Sequence, residues 1–288
     1  MRSIHLRSPA KLNLYLKVIN KREDGYHNLK TIFERINLFD DIELALNQDG
    51  RIRIVCDHPD VPLDSQNLVY KVAQLLKDDF VLQEGVDIVI TKRIPVAAGL
   101  AGGSSNAATV LLGLSRLWKL DLTSRELLSY GRRIGSDVPF FLYDCSWALG
   151  LGRGDKIRRL MLPSRFWHIL VVPSVKMYSK EVYAGLNLEL TKQNDDVNIL
   201  IRSLRKNDIT TIGRLLFNDL ESTIVKLFPA LYDLKKGLLG MNTKGVSFSG
   251  SGPAVFGLTQ TEQEAEDMKA MLQKQYAQCA QVFAVRTF

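Results

Sequence analysis

The chain has 288 residues, of which 46% are hydrophobic and 24% are charged, and its formal net charge at pH 7 is +7. These values are those of an ordinary globular protein with one large domain or two smaller ones. The sequence contains no internal repeat and no low-complexity segment, and the three widely spaced cysteines predict neither a disulfide framework nor a cysteine metal site.

The charge and the first residues predict the compartment and the type of partner. Residues 1–7 hold no apolar segment of the signal-peptide type, and the cysteine pattern indicates a reducing environment, so we expect a cytoplasmic protein. A positive net charge fits an anionic partner, either a polyphosphate or a nucleic acid. The basic residues are nevertheless dispersed and form only short clusters, such as that at 156–159.

The first half of the chain predicts strands followed by helices. Leucine and valine alternate with polar residues over 12–18, which is typical of a strand with one buried face. Lys11 and Asn13 share the other face, where a lysine is usually solvated. Residues 42–46 and 51–55 predict two strands that pair through the turn at 47–50. The other predicted elements are a turn at Asp24 and Gly25, a helix over 67–77, a strand over 86–91, and helices over 107–118 and 124–134, the latter capped by Thr123 or Ser124.

A glycine-rich segment at 95–108 joins the strand 86–91 to the helix that follows it. Its three glycines let the backbone approach a ligand closely. Ser104 and Ser105 lie where the helix begins, beside N–H groups that lack an intrahelical partner and carry partial positive charge. Such a corner binds phosphate without a basic side chain. The segment matches neither the Walker A nor the dinucleotide-binding pattern, and the alternative is a loop that only lets the helix pack closely on a sheet.

The same region raises the alternative of a membrane span, since residues 94–114 carry no charge and are long enough. Pro95, the three glycines and the polar residues 104–106 in its middle argue against that interpretation. The apolar residues that follow keep the spacing of one buried helix face. We therefore reject the membrane span, and the segment is either a phosphate-binding loop or a loop that lets the helix pack closely on a sheet.

The second half predicts a strand–helix order typical of an α+β sandwich. Its predicted elements are a strand over 167–172, helices around 197–205, 209–217 and 228–236, a strand over 245–248, a turn over 249–253, a strand over 254–258, a helix over 262–275 and a last strand over 281–286. Pro163 and Ser164 interrupt apolar sequence, which places the domain boundary there. We therefore predict domains at residues 1–162 and 163–288.

Four polar or aromatic residues are candidates for chemistry, each with a plainer alternative. Asp137 precedes a proline and two aromatic residues, so it is either a helix cap or a carboxylate that orients or deprotonates a hydroxyl. Lys11 is either solvated or neutralises transferred phosphate. Tyr26 and His27 are either surface residues of a turn or a platform for a planar base.

Taken together, three motifs in this order resemble those of the GHMP kinase family: Pro-Ala-Lys-Leu-Asn-Leu at 9–14, the glycine-rich segment at 95–108, and Ser-Gly-Ser-Gly-Pro at 249–253. The resemblance implies the two-domain α+β GHMP kinase fold. In that fold a ribosomal-protein-S5-like ATP-binding domain precedes a ferredoxin-like α/β sandwich domain. It also implies an ATP-dependent kinase that phosphorylates an alcohol with the help of Mg²⁺.

Residues 22–27, 31–33 and 135–141 narrow the likeness to family members whose acceptor carries cytidine diphosphate. The implied reaction is phosphorylation of the 2-hydroxyl of 4-diphosphocytidyl-2-C-methyl-D-erythritol, in the non-mevalonate (MEP) pathway of isoprenoid and terpenoid biosynthesis. The implied partners are this small molecule and ATP, with no nucleic acid and no membrane, and the implied state is a monomer or weak homodimer.

The resemblance assigns roles to individual residues. The implied catalytic residues are Asp137 as base and Lys11 as its paired lysine. The implied ATP-binding residues are Pro95, Val96, Ala97, Ala98, Gly99, Leu100, Ala101, Gly102, Gly103, Ser104 and Ser105, of which either serine would touch the metal. The implied substrate-binding residues are Asn13, Tyr26, His27, Phe33 and Tyr183.

The loop departs from the family pattern in ways that bear on ATP affinity. Ala98 and Ala101 stand where glycine is frequent, and we expect the alanines to be tolerated only if both keep a negative φ. Asn106 stands in place of a frequent aspartate and Ser136 in place of a frequent alanine. None of these changes removes a catalytic group.

Two rival functions stay open at this point. Another GHMP kinase would act on homoserine, mevalonate or a sugar, none of which has a base for Tyr26 and His27 to stack on. A basic RNA-binding α+β module would grip phosphates through its positive charge. The chain lacks the concentrated basic stripe and aromatic platform that such a module needs.

Overall fold

The computed structural model describes residues 2–187 and 196–288. The chain divides into two compact units, and each is discontinuous in sequence. The first unit comprises Met1–Ala10, Leu38–Val96 and Ala101–Asp144, and the second comprises Lys11–Asn37, Ala97–Leu100 and Cys145–Phe288. The division into family domains at 1–162 and 163–288 stays a prediction.

The described residues form both strands and helices, and the α+β class expected from the sequence is confirmed. The strands are β1 (Ser3–Lys21), β2 (His27–Asn47), β3 (Ile52–Cys56), β4 (Gly85–Thr91), β5 (Trp147–Gly152), β6 (Lys156–Arg159), β7 (Trp167–Pro173), β8 (Phe217–Asn218), β9 (Gly245–Phe248), β10 (Val255–Thr259) and β11 (Ala280–Arg286). The helices are α1 (Leu68–Phe80), α2 (Gly102–Leu117), α3 (Ser124–Ile134), α4 (Val138–Leu142), α5 (Ser179–Ala184), α6 (Val197–Lys206), α7 (Ile209–Leu215), α8 (Glu221–Leu227), α9 (Ala230–Leu239) and α10 (Glu262–Gln275).

In the first unit β4 lies between two other strands. It pairs antiparallel with residues 41–47 of β2 and parallel with β3. The hairpin predicted between 42–46 and 51–55 is therefore wrong, although both strands exist. A Cβ on Gly85 would lie only 2.2 Å from the carbonyl oxygen of Arg51. The absence of a side chain at Gly85 therefore lets the start of β4 lie close to the backbone just before β3. Helix α2 packs against α1, α3 and α4.

In the second unit four antiparallel strands form a sheet in the order β11-β7-β10-β9. Helix α9 packs on β9 and β10, and α10 packs on β7 and β11. This arrangement matches the α/β sandwich expected for the C-terminal part. The unit also contains β5 paired with residues 29–34 of β2, β6 paired with β5, and β8 paired in parallel with β1.

Strand β1 departs from its predicted burial pattern. Lys11 and Asn13 are 3% and 2% exposed, so the strand is buried on both faces there rather than on one. The polar face is covered because these side chains bond to groups of the second unit rather than to water. Helices α5 and α8 and strands β5 and β6 were not predicted, since they are short or polar and lack a clear periodicity. Within the described ranges, no helix combines the length and apolarity that a membrane crossing requires.

Candidate active site

The glycine-rich loop enters α2 through a left-handed residue. Ala101 is the N-cap of α2, with φ 55° and ψ 31°, and its methyl side chain supplies no cap hydrogen bond. The expectation of a negative φ is therefore wrong for Ala101, because the bend into the helix falls on this residue. Ala97 has φ 53° as well, whereas Ala98 has no positive φ, as expected. The first N–H groups of α2 are thus left without a side-chain acceptor from the N-cap.

The two serines at the start of α2 have different surroundings. Ser105 is fully buried, and its hydroxyl oxygen accepts a hydrogen bond of 2.8 Å from the Ser8 hydroxyl. Ser104 is only partly buried, and Gly103 beside it is exposed, with open space where a Cβ would stand. Of the two hydroxyls, only that of Ser104 is therefore on the accessible side of the helix.

Asp137 is the N-cap residue of α4, but its side chain makes no cap hydrogen bond. Asp137 therefore occupies the N-cap position that the sequence offered as the plainer alternative, but its carboxylate is not engaged in a capping hydrogen bond and is partly exposed. The turn before it lies near α2, since a Cβ on Gly135 would be 3.9 Å from the Ser104 hydroxyl oxygen. The first unit thus brings the segment of Asp137 beside the start of α2.

In the second unit, Lys11 is held by neighbours on the loop and on its own strand. Its ammonium donates to the carbonyl oxygen of Gly99 at 2.8 Å and to the side-chain oxygen of Asn13. Asn13 in turn donates from its amide nitrogen to the Thr31 hydroxyl at 2.7 Å. The ammonium also lies 5.9 Å from the centre of the Phe33 ring. The solvated-lysine alternative is therefore wrong, and a buried cation is attached to the predicted phosphate loop.

The turn at 249–253 completes the surroundings of Lys11. The Ser249 hydroxyl donates to Gly99 O at 2.9 Å and accepts from the Asn13 backbone N–H at 3.3 Å. A Cβ on Gly250 would lie 3.2 Å from the Lys11 ammonium nitrogen. Small residues in this turn therefore leave room for the lysine.

Asn218 holds the turn at 249–253 in place and was not predicted from the sequence. Its amide nitrogen donates to the carbonyl oxygens of Phe248 at 3.0 Å and Gly250 at 2.8 Å, and its oxygen accepts from the Leu220 N–H at 2.9 Å. All three contacts are long-range or turn-specific. The two bonds to Phe248 and Gly250 join residues about 30 positions apart, so no local pattern around residue 218 could have indicated them.

The four aromatic residues that the resemblance assigns to substrate binding lie in the second unit but differ in exposure. The rings of His27 and Tyr183 stack, with centroids 5.2 Å apart and an interplanar angle of 25°. Tyr26 is 54% exposed, and the Arg153 guanidinium lies 5.0 Å from its ring centre. Phe33 is buried instead, and a Cβ on Gly150 would lie 2.5 Å from its ring. Burial, and secondarily the charge of Lys21, lower the pKa of His27 below its ordinary value of 6.5.

Comparison with known proteins identifies the family. The family described as GHMP kinases N terminal domain matches residues 67–145, and that described as GHMP kinases C terminal matches residues 200–278. A 4-diphosphocytidyl-2-C-methyl-D-erythritol kinase from Geobacillus kaustophilus (strain HTA426) is 43% identical over 284 residues, which cover 98% of this chain and 96% of that protein. The chain belongs to the GHMP kinase family. A protein of the same name from Clostridioides difficile (strain 630) is 40% identical over 96% of this GHMP kinase and 93% of the relative.

Solved structures agree with this assignment. A crystal structure of 4-(cytidine 5'-diphospho)-2C-methyl-D-erythritol kinase superposes with a TM-score of 0.83 and 30% identity, covering 99% of this chain and all of that one. A homoserine kinase from Cytophaga hutchinsonii gives a TM-score of 0.75 at 20% identity, covering 100% of this chain and 95% of that one. The second match supports the fold alone, and the two-domain GHMP kinase fold expected from the sequence is confirmed.

The predicted site residues of this GHMP kinase fall into two groups. Residues 95–96, 101–105 and Asp137 belong to the first unit, and residues 97–100 with Lys11 belong to the second. Asn13, Tyr26, His27, Phe33 and Tyr183 also belong to the second unit. The pairing of Lys11 with Asp137, and the individual substrate contacts, stay predictions.

Proposed function

We propose that this GHMP kinase transfers the γ-phosphoryl group of ATP to the 2-hydroxyl of 4-diphosphocytidyl-2-C-methyl-D-erythritol, a step of non-mevalonate isoprenoid precursor biosynthesis in the cytoplasm. The observation that carries the proposal is the stacked pair of His27 and Tyr183. Flat aromatic surfaces suit a pyrimidine base, which homoserine and mevalonate lack. The names of relatives at 40–43% identity over nearly the whole chain support the same acceptor.

The start of α2 is the proposed seat of the ATP phosphates. Its N-cap residue offers no side-chain acceptor and its first turn contains no acidic residue, so the N–H groups and the helix dipole favour an anion there. The Ser104 hydroxyl adds a donor on the accessible side. Residues 95–103 would wrap the triphosphate, and Gly99 and Gly103 let the backbone approach it.

Mg²⁺ is the proposed companion of ATP, and the residues fit an ion that arrives with the nucleotide. No group of three His, Cys, Asp or Glu side chains in the described part of the chain could hold a metal by itself. Mg²⁺ commonly keeps several waters and binds through phosphates with few protein ligands, and the Ser104 hydroxyl is a suitable one. The ion would supply charge neutralisation for the phosphates.

Asp137 and Lys11 are the proposed catalytic residues. Phosphoryl transfer through a loose transition state asks the protein mainly to align hydroxyl and γ-phosphate and to offset charge. The Asp137 carboxylate, which makes no capping hydrogen bond to α4, would orient the acceptor hydroxyl and take its proton. The Lys11 ammonium would offset negative charge on the transferred group. Asn13, bonded to that ammonium, would hold it in place near the reacting hydroxyl.

A coupled assay of ADP release tests the proposal directly. Turnover is measured with 4-diphosphocytidyl-2-C-methyl-D-erythritol, homoserine and mevalonate at equal concentrations, and CDP and CMP are added as competitors. We expect turnover with the cytidyl substrate alone and competitive inhibition by CDP. Turnover with homoserine or mevalonate, without inhibition by either cytidine nucleotide, would identify a different GHMP kinase activity.

A further inference from the structure

A buried ion pair in the first unit lies next to the phosphate loop and outside the residues assigned so far. Asp40 of β2 is fully buried, and its carboxylate accepts four N–H donors. One oxygen accepts from the backbone N–H groups of Arg93 and Ile94, each at 2.8 Å. The other accepts from the Lys92 ammonium at 2.7 Å and the Asn106 amide at 2.9 Å. Charge-assisted bonds of this kind are the strong ones in proteins.

These four donors come from both flanks of the loop. Residues 92–94 directly precede Pro95, the first residue of the loop, and Asn106 directly follows Ser105 in α2. One carboxylate therefore fastens the chain before the loop and the helix after it. The backbone of Gly102, the first residue of α2, lies against the Lys92 ammonium, since a Cβ on Gly102 would stand 3.0 Å from the Lys92 nitrogen.

The network continues to the first turn of α2. The Asn106 amide also donates to the Ser8 hydroxyl oxygen at 3.0 Å, and Ser8 donates to Ser105 at 2.8 Å. The amide of Asn106 thus joins Asp40 to Ser8. An aspartate at 106 would instead set a carboxylate against that of Asp40, with no N–H to donate.

Stability alone explains this arrangement poorly. Burying an ion pair costs desolvation that often equals its attraction, and burial lowers the pKa of Lys92 below its ordinary 10.5 although the Asp40 charge acts the other way. Four directed bonds do, however, fix geometry closely. Because Asp40 is fully buried, it cannot itself touch a nucleotide.

We propose that Asp40 is a positioning residue for nucleotide binding: through Lys92, the N–H groups of 93 and 94, and Asn106, it sets the position of the phosphate loop and the direction of the first N–H groups of α2. The inference rests on the proposed phosphate seat but not on the identity of the acceptor alcohol. Loss of the Asp40 network should weaken nucleotide binding far more than binding of the acceptor alcohol.

The test compares three variants of the full chain. Asp40→Asn/Lys92→Met removes both buried charges together, so that neither is left unpaired. Asn106→Ala keeps the ion pair and cuts its link to α2. Asp41→Asn is the matched control, because Asp41 neighbours Asp40 but pairs with the Arg93 side chain on the surface at 2.8 Å. The readouts are ADP affinity by calorimetry, the KM values for ATP and for the alcohol, and cooperative unfolding by circular dichroism.

We expect the double variant to bind ADP at least tenfold more weakly and Asn106→Ala at least threefold more weakly. The KM for the alcohol and all values for Asp41→Asn should stay within twofold of wild type. Folded variants with unchanged ADP affinity, or a parallel rise of both KM values, would overturn the inference. If the double variant does not fold, Asn106→Ala decides alone. ADP binding needs no turnover, so a failure of the proposed acceptor would be seen separately.

Discussion

The ammonium nitrogen of Lys11 and the carbonyl oxygen of Gly99 are joined by a hydrogen bond of 2.8 Å. The Ser249 hydroxyl donates to the same oxygen at 2.9 Å, so one backbone carbonyl organises a cation and a turn from distant parts of the chain. The position of the proposed catalytic lysine therefore depends on the conformation of a glycine. This dependence leads to the first prediction.

We expect Gly99→Ala to lower both stability and turnover. Gly99 has φ +77°, and an added Cβ would stand 2.0 Å from the Ser249 carbonyl oxygen, which is backbone and cannot turn aside. The left-handed conformation alone costs an alanine roughly 1–2 kcal/mol, and the clash adds to it. The urea midpoint and kcat should both fall.

Gly103→Ala is the control for this change. A Cβ on Gly103 meets nothing within 4 Å, and the residue lies in the first turn of α2. Its urea midpoint should stay the same or rise, since alanine is the better helix former. Equal loss of stability in the two variants would show that the Gly99 backbone is not where the strain arises.

Asp137→Asn should reduce kcat by roughly two or more powers of ten, with a modest change in the KM for the alcohol. The amide keeps the shape of the side chain but cannot accept the hydroxyl proton. Single-turnover phosphoryl transfer at saturating ATP measures the effect. Asp144→Asn, at an exposed carboxylate just after α4, should keep turnover within about twofold. Near-normal turnover of Asp137→Asn would remove the base from the mechanism.

Ala101→Gly should stabilise the protein. Ala101 is held at φ 55°, a conformation that glycine adopts without the Cβ penalty, so roughly 0.5–1 kcal/mol should be gained. Equilibrium urea unfolding measures the gain. Ala107→Gly, inside the same helix and buried, should lose about 1 kcal/mol instead, because glycine is a poor helix former. A loss of stability in Ala101→Gly would contradict the left-handed N-cap.

Affinity for the cytidyl substrate should weaken in acid through His27. Its pKa is lowered by burial, so the ring is neutral above pH 6.5 in the folded and unfolded chain alike. As the pH falls below 6.5, the unfolded chain gains the proton first and the stability associated with the neutral ring is lost. As the pH then falls through the lowered pKa, the folded ring also becomes charged and the stack with Tyr183 weakens. KM for the substrate, followed downward from pH 8 for as long as the protein stays folded, should rise in wild type. His27→Phe should remove this component, and an identical rise in that variant would assign the effect to another group.

Local signals allowed much of the fold to be predicted. The helix over 262–275 coincides with α10, and the Thr123 cap forms a capping box in which Thr123 and Glu126 bond reciprocally. The hydrogen bonds that cap the starts of these two helices join residues only three positions apart in the chain. Such contacts can be inferred from sequence because the partners are neighbours in the chain.

Long-range contacts could not be predicted in the same way. The pairing of β4 between β2 and β3 depends on residues about 40 positions apart, so the nearer turn at 47–50 suggested a hairpin instead. Asn218 bonds carbonyl groups about 30 residues away, and Asp40 bonds groups more than 50 residues away. Asparagine and aspartate at such positions resemble any surface residue until their partners are known.

The discontinuous second unit has a consequence for synthesis on the ribosome. Residue 15 of β1 pairs with residue 217, and the Glu34 carboxylate accepts a hydrogen bond from the Thr287 hydroxyl, so early segments wait for partners that are made more than 200 residues later. At roughly 5–20 residues per second, translation from residue 144 to residue 288 takes about 7–30 s. During that interval a nascent chain has every segment of its first unit but lacks Phe217, Asp219 and Ser249, which pair with or bond to β1 in the folded protein.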